Sequence, residues 1–149
     1  MDQTDNETDW VYSDSGKKVP GAVYAGLKSY IIRAIHDDQR IIGTLIDGED
    51  FARVAYNGAV HKDYAYQVLV NTKTPDCSKL VWKFTTGKII PEGAIRGGHD
   101  SSIMLFVGRA VINGELLVGS FRVDSGILYT GFNSVHSVAG CDILCKVDQ

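Results

Sequence analysis

The residues of this 149-residue chain that most favour chemistry are two arginines and one aspartate. Arg33 and Arg109 each interrupt an otherwise apolar stretch, and a charge inside a buried strand must be paired or must line a pocket. Each guanidinium either clamps loop carbonyls or a carboxylate, or donates hydrogen bonds to a polar ligand. Asp100 follows a Gly-Gly-His turn. A carboxylate there either caps backbone amides of the turn or accepts hydrogen bonds from two adjacent sugar hydroxyls.

Patterns typical of enzymes are missing from the sequence. It contains no GxSxG, no HExxH and no phosphate-binding glycine-rich loop. The four histidines are scattered, and His61 and His136 take matching positions in the two halves of the chain. We expect these two imidazoles to make structural hydrogen bonds, since neither has a visible partner for general-base catalysis. The sequence therefore predicts a protein that is not an enzyme and that needs no cofactor.

Composition argues against several classes of partner. The net charge is -3 and no stretch is strongly basic, so the usual electrostatic attraction to nucleic acid is missing. No apolar run approaches the roughly 20 residues that span a bilayer. Residues 1–9 are polar and acidic, which predicts a flexible tail and is unlike the basic, then apolar start of a signal peptide. We therefore expect a cytoplasmic protein, which could leave the cell only by unconventional release.

Three cysteines, Cys77, Cys141 and Cys145, make an odd number. The four-residue spacing of Cys141 and Cys145 would place both side chains on one face of a strand or helix. Such a pair could be a soft-metal or redox site, but the sequence has no CxxC pattern. We predict reduced cysteines and no metal site.

One phrase occurs twice and divides the chain into two halves. "WVYSDSGKKVPGAVYAGLKS" begins at Trp10, and "WKFTTGKIIPEGAIRGGHD" begins at Trp82. Matches continue to the end of each half, and the offset drifts only from 71 to 76 residues, which indicates a duplication. We predict a first repeat over residues 10–70, a polar linker over 71–79 and a second repeat over 80–149. The later matched positions include Arg33 with Arg109, Gly43 with Gly119, Tyr56 with Phe132, and His61 with His136.

Both halves have the pattern of closely spaced strands. Residues 29–36, 40–46, 101–112 and 115–123 are rich in β-branched and apolar residues, and Asn113-Gly114 is a strong signal for a hairpin turn. No segment keeps apolar residues at helical spacing for three turns. A half of about 70 residues would leave open strand edges and a thin core. We therefore predict an all-β fold in which two repeats of antiparallel strands complete each other's sheets and form one pseudo-twofold domain.

The doubled phrase, together with "IIRAIH", "RIIGTL", "LFVGRAVINGELLVGSF" and "FNSVHSVAGCDIL", resembles the DM-nine repeat family. This family includes natterin-like proteins and mannose-binding invertebrate lectins, and the likeness runs from Trp10 to Lys146. The resemblance implies an antiparallel β fold in which two tandem repeats are intertwined into one pseudo-twofold domain by exchanging strands. It also implies mannose recognition without a metal ion, and a homodimer in the lectin members.

The resemblance further implies where a sugar would bind. In the family pattern an Asp closes the early glycine turn and a Lys follows the glycine of a later strand. Asp100 matches the first of these positions, whereas Ser120 stands at the second. In the first repeat the same comparison gives Lys28 and Thr44, and neither matches. We predict a carbohydrate site around Asp100, helped by Ser120, Arg109 and Glu115, and a degenerate or retuned first-repeat pocket around Lys28, Arg33 and Thr44.

Two functions follow from these expectations. The first is a metal-independent lectin for mannose-type glycans, acting in innate recognition or agglutination as a homodimer. The second is a protein-interaction or scaffold module of the same fold that has lost sugar binding. The departures from the family pattern at Lys28, Thr44 and Ser120 favour the second function, and the matching Asp100 favours the first.

Overall fold

A computed structural model describes residues 8–71 and 78–148, which we call the first and second halves. Every element in these ranges is a β-strand, so the prediction of an all-β fold is confirmed. The predicted tail and linker lie largely outside the described residues, while Thr8, Asp9, Asn71, Ser78 and Lys79 belong to strands. Within the described ranges there is no helix that could cross a membrane.

Each half contains seven strands. Those of the first half are β1 (Thr8–Asp14), β2 (Tyr24–Gly26), β3 (Ser29–His36), β4 (Gln39–Ile46), β5 (Ala52–Tyr56), β6 (Ala59–Asp63) and β7 (Ala65–Asn71). Those of the second half are β8 (Ser78–Thr86), β9 (Arg96–Asp100), β10 (Ile103–Ile112), β11 (Glu115–Arg122), β12 (Ile127–Gly131), β13 (Val135–Val138) and β14 (Gly140–Asp148).

The order of strand pairing is the same in the two halves, and all the pairings are antiparallel. In the first half β7 lies between β1 and β3, and the strands β3 to β6 then pair in succession. In the second half β14 lies between β8 and β10, and β10 to β13 pair in succession. This recurrence agrees with tandem repeats. The twofold axis and the exchange of strands stay predictions.

Two hairpin turns carry the strongest local signals. Asn113-Gly114 joins β10 to β11 as predicted, and its residues have φ of 52° and 84°. Asn57-Gly58 joins β5 to β6 with φ of 56° and 80°. Both pairs adopt left-handed backbone conformations, which asparagine and glycine tolerate and which match the twist of the paired strands.

The main core is shared by the two halves. Fully buried side chains of β3 and β4, such as Ile32 and Leu45, join Leu105, Val118 and Leu144 of the second half in one apolar cluster. Because neither half supplies this core alone, the two halves stabilise each other by burying apolar surface together.

A smaller apolar cluster in the second half holds two of the cysteines. Cys141 and Cys145 lie on one face of β14 among Phe121, Leu128 and Ile143, and both are free thiols. Burial raises the pKa of the Cys141 thiol to about 12 and also raises the pKa of Cys145. These thiols therefore stay protonated and act as packing groups. Cys77 lies outside the described residues.

Candidate functional site

Arg33 is a clamp between the two halves. Its Nε donates to Gln67 Oε1 at 2.8 Å, and its Nη1 donates to the carbonyl of Gly97 at 3.0 Å. The guanidinium lies over the Trp10 ring, 4.4 Å from the ring centroid. Burial and the nearby charge of Arg40 lower the pKa of Arg33 to about 10, so the side chain stays charged at neutral pH.

Arg109 makes the corresponding contacts in the second half. Its Nε donates to Asp142 Oδ2 at 3.2 Å, its Nη1 donates to the carbonyl of Ala25 at 2.7 Å, and its guanidinium lies 4.2 Å from the centroid of the Trp82 ring. Each arginine thus reaches a backbone carbonyl of the other half. Of the two alternatives that the sequence leaves open, these contacts are those of a structural clamp.

Thr44 and Ser120 also join the two halves, through buried hydroxyls. Thr44 Oγ1 donates to the carbonyl of Val118 at 2.9 Å and accepts from the Val118 amide at 2.7 Å. Ser120 Oγ accepts from the Ile42 amide at 3.0 Å. Thr44 is 1% exposed and Ser120 is 4% exposed. Both hydroxyls therefore serve the contact between β4 and β11.

Asp100 lies in a hairpin that is longer than its first-half counterpart. Gly98 pairs with Leu105 as Gly26 pairs with Ser29, so the offset between halves is 72 residues before this hairpin and 76 after it. The four extra residues add two paired rows and carry Asp100, which pairs with Ile103. Lys28 lies in the short first-half turn, where Leu27 and Lys28 have φ of 45° and 69°. The register therefore gives Asp100 no direct equivalent at Lys28.

The first half anchors this longer hairpin. His99 pairs with Arg40 of β4, and Gln39 Oε1 accepts hydrogen bonds from the Ser101 amide at 2.6 Å and from His99 Nδ1 at 3.1 Å. Arg40 Nη1 lies 3.4 Å from His99 Nε2. Because a guanidinium only donates, Nε2 is the acceptor of this pair, and the His99 proton belongs on Nδ1. The contacts hold the strand that carries Asp100.

Arg122 orients the Asp100 carboxylate. Its Nη1 donates to Asp100 Oδ2 at 2.8 Å, while Nε and Nη2 donate to the two carboxylate oxygens of Asp124 at 3.2 and 3.1 Å. The contact with Asp124, and then that with Asp100, raises the pKa of Arg122, and the hydrogen bonds that Arg122 donates to Asp124 lower the pKa of Asp124. Asp100 Oδ1 accepts no hydrogen bond within the described residues, so it is available to a ligand.

These groups open onto a cleft of about 620 Å³ between the two halves. Besides two carboxylates and the guanidinium, the cleft presents two phenols, one carboxamide and several hydroxyls, which suit a ligand with many hydroxyl groups. Burial and a hydrogen bond to Asp37 raise the pKa of Tyr56. The Asp100 cleft is lined by Ile41, Ala55, Tyr56, Asn57 and Gly58 of the first half, and by Asp100, Leu105, Ser120, Arg122, Asp124, Ser125, Tyr129, Val135 and Ser137 of the second.

The predicted site residues are therefore separated by the fold. Asp100 and Ser120 line the Asp100 cleft. Arg33, Arg109 and Thr44 hold the two halves together, as described above, and Lys28 is exposed at its turn. Glu115 lies instead in a second cleft, of about 260 Å³.

Arg122 and Tyr129 belong to the site and were not predicted from the sequence. Arg122 lies two residues after Ser120 on β11, and Tyr129 of β12 is the direct cross-strand partner of Ser120. Alternation along a strand places Ser120 and Arg122 on one face of the sheet. That alternation was the signal from which Arg122 could have been found, whereas Tyr129 required the register between β11 and β12.

Comparisons with known proteins agree on the fold. Residues 26–137 match the family model described as DM9 repeat. No curated protein matches the sequence. Among solved structures, the nematode sperm cell motility protein MFP2B has a similar fold, with a TM-score of 0.70 and 14% sequence identity over 96% of this chain and 45% of that chain. This chain therefore spans less than half the length of that protein.

Proposed function

This chain belongs to the DM9 repeat family, and from that premise we propose that it binds carbohydrate in the Asp100 cleft. The carboxylate is the observation that carries the proposal. Arg122 holds one oxygen of Asp100, while the other is free to accept a hydroxyl hydrogen bond in a cleft lined by polar groups. The ligand of this proposal is a mannose-type glycan, bound without a metal ion.

Several groups support a neutral ligand with many hydroxyls. A hydrogen bond to a charged acceptor contributes about 1.5–3 kcal/mol, and Asp100 can accept such a bond. The Tyr129 ring offers apolar surface for the C–H face of a sugar. Asn57 and Ser137 add a carboxamide and a hydroxyl. The positive charge of Arg122 is already shared by two carboxylates, so the cleft has little attraction left for an anionic ligand.

One such site would hold a single sugar weakly, and linking two sites raises the overall affinity without any new contact. The proposal therefore includes a homodimer that binds branched glycans with both subunits. Absence of catalysis, a cytoplasmic location and unconventional release belong to the same proposal.

Retention on mannan-agarose tests the proposal. We expect the protein to be retained equally with and without EDTA, and to be released by free methyl α-mannoside. Asp100→Asn should lose retention, because the amide keeps the shape but not the charged acceptor. Asp47→Asn is the matched control, since Asp47 is also paired with one cation, Lys18, but lies outside the Asp100 cleft.

Failure of the unmodified protein to bind mannan would contradict the proposal as stated. Retention that EDTA abolishes would also contradict it, because the site would then need a metal ion. Equal retention of Asp100→Asn and the unmodified protein would show that the glycan binds elsewhere. Unfolding midpoints of both variants, measured in parallel, separate loss of binding from loss of folding.

A protein-interaction module is the second candidate, and exposed apolar side chains favour it. Tyr12 and Ile35 of the first half are 66% and 57% exposed, and Phe84 and Val111, at matching places of the second half, are 68% and 61% exposed. Such side chains mark an interaction surface where they form one contiguous apolar patch. A glycan array without specific binding, combined with protein capture that Phe84→Ser and Val111→Ser abolish, would favour this candidate.

A further inference from the structure

The second cleft lies between two turns of the second half, the β10–β11 turn and the β12–β13 turn, and shares no lining residue with the Asp100 cleft. Strand β13 separates the two clefts, since Val135 and Ser137 line one while Ser134 and His136 line the other. The apolar lining of the second cleft includes the buried Leu117 and the ring of Phe132. Its polar groups are Asn113, Glu115, Asn133, Ser134 and His136.

Most polar side chains around this cleft are exposed to solvent, and only His136 is half-buried. Among residues 8–71 and 78–148, the five polar side chains named above make no hydrogen bond and no ion pair. They come from two different hairpins, yet they surround one space of about 260 Å³. An apolar floor with a few convergent polar groups is the usual form of a small-molecule site.

At two matched positions of the first half, the polar side chains form hydrogen bonds with other groups of the protein. Gln39, the register match of Glu115, accepts two hydrogen bonds from the long hairpin of the second half. The His36 ring stacks on Tyr56, with centroids 5.7 Å apart, and contacts His61 in a tilted arrangement at 4.4 Å. Its Nε2 lies 2.8 Å from Asp63 Oδ2. In the first half, the His36 and Gln39 side chains therefore pair with other protein groups, whereas Tyr56 also lines the Asp100 cleft.

Charge decides what the second cleft would bind. In the Asp100 cleft, Arg122 pairs with both carboxylates. In the second cleft, Glu115 is the one carboxylate of the lining, and no cation within the described residues pairs with it. A cation beside an unpaired carboxylate is attracted more strongly near a protein surface than in bulk water, because the effective dielectric constant is lower. A cationic ligand would complete this cleft better than a neutral one.

We propose that the second cleft is a binding site for a small organic cation, an ammonium group on a short apolar body. The ammonium pairs with Glu115, and the oxygens of Asn133 and Ser134 accept its other hydrogen bonds. The apolar body lies against Leu117 and Phe132. This site does not depend on carbohydrate binding in the Asp100 cleft.

Amide NMR titration of the full chain with n-butylammonium chloride tests this proposal. We expect saturable shifts confined to residues 112–117 and 131–136. n-Butanol has a similar apolar body without the charge, and it should bind at least about tenfold more weakly, a difference of about 1.4 kcal/mol. Glu115→Gln should weaken binding of the ammonium by a similar factor. Glu92→Gln, which changes an exposed carboxylate outside the cleft, should leave the titration unchanged.

Three results would overturn the proposal. Equal binding of n-butanol would make the cleft an apolar pocket, and equal or stronger binding of methyl α-mannoside would make it a sugar site. If Glu115→Gln bound the ammonium as tightly as the unmodified protein, the Glu115 carboxylate would not be part of the site. Glu115 is exposed at a hairpin end, so this variant should fold, and its amide spectrum checks that. Asp100→Asn should leave the titration unchanged, so the carbohydrate and cation proposals fail separately.

Discussion

The Asp100 cleft and the corresponding region of the first half differ at a matched strand position and in the length of one hairpin. Tyr129 pairs with Ser120 as Arg53 pairs with Thr44, so Tyr129 and Arg53 stand at the same place in the two halves. Tyr129 lines an open cleft, whereas the Arg53 side chain is buried. The comparison teaches that one repeated strand framework can present a cleft or fill it, according to the side chain at this position.

The contacts of Arg53 explain how it fills the first-half region. Its guanidinium lies 4.9 Å from the centroid of the Phe51 ring and 4.3 Å from that of Phe132, and it forms an ion pair with Glu49. Phe132 belongs to the second half, so the arginine also joins the two halves. A planar guanidinium suits such a place, because it can stack on rings while its edge pairs with a carboxylate.

The β2–β3 and β9–β10 hairpins form a second difference between the same regions. The first half turns at Leu27 and Lys28, whereas the second half continues for two more paired rows before it turns at Ser101. The added residues bring Asp100 to Arg122. A length difference in one hairpin therefore supplies the carboxylate of the candidate site.

Shortening the β9–β10 hairpin should have the largest effect on glycan binding in the Asp100 cleft. Replacing residues 99–104 with Asn-Gly would give β9–β10 the length of the first-half hairpin, with a favourable turn. We expect complete loss of retention on mannan-agarose, and a loss of about 2 kcal/mol in the free energy of unfolding, because Ile103 leaves the core and the contacts of His99 disappear. Urea unfolding measures the stability. Unchanged retention would show that this hairpin is not part of the site.

Alanine substitution at the matched position should reduce the free energy of unfolding more in the first half than in the second. Arg53→Ala should cost about 2–3 kcal/mol of unfolding free energy, because a buried guanidinium loses its stacking and its ion pair. Tyr129→Ala should cost about 1 kcal/mol, because the Tyr129 ring lines an open cleft. Urea unfolding of the two variants makes the comparison. Equal costs, or a larger cost for Tyr129→Ala, would contradict the contrast between a filled and an open region.

Removing the second carboxylate partner of Arg122 should have the smallest effect. The pKa of Asp124 is lowered in the folded protein, so its contact contributes stability above the unfolded pKa of about 4. That contribution is lost as pH falls through the lower, folded pKa. We expect Asp124→Asn to lower the thermal midpoint slightly at neutral pH and to have no effect in strong acid. A midpoint difference that grows on acidification would contradict this assignment.

The strands were predictable because their signals are local. The predicted segment 29–36 is strand β3 without a change of bounds, and Asn113-Gly114 forms the expected hairpin. Side-chain alternation and turn residues act over a few neighbours, so one sequence contains them.

The candidate site was predictable only in part. Asp100 was singled out by its turn and by the family resemblance, but Arg109 and Glu115 were placed beside it and lie elsewhere in the fold. The offset between repeats drifts by several residues, and the sequence does not say at which turn the extra residues enter. The pairing of Gly98 with Leu105 locates them in the β9–β10 hairpin.

The sequence by itself determined the all-β class and predicted the likeness of the two halves, because alternation, turn chemistry and self-similarity depend only on the order of residues along the chain. The tertiary structure decided which groups meet. Arg33 and Arg109 became clamps because the carbonyls they reach belong to the other half, 64 and 84 residues away. Asp100 met Arg122 because the longer hairpin carries it to β11. Such contacts depend on the register between distant strands, which packing of the shared core establishes.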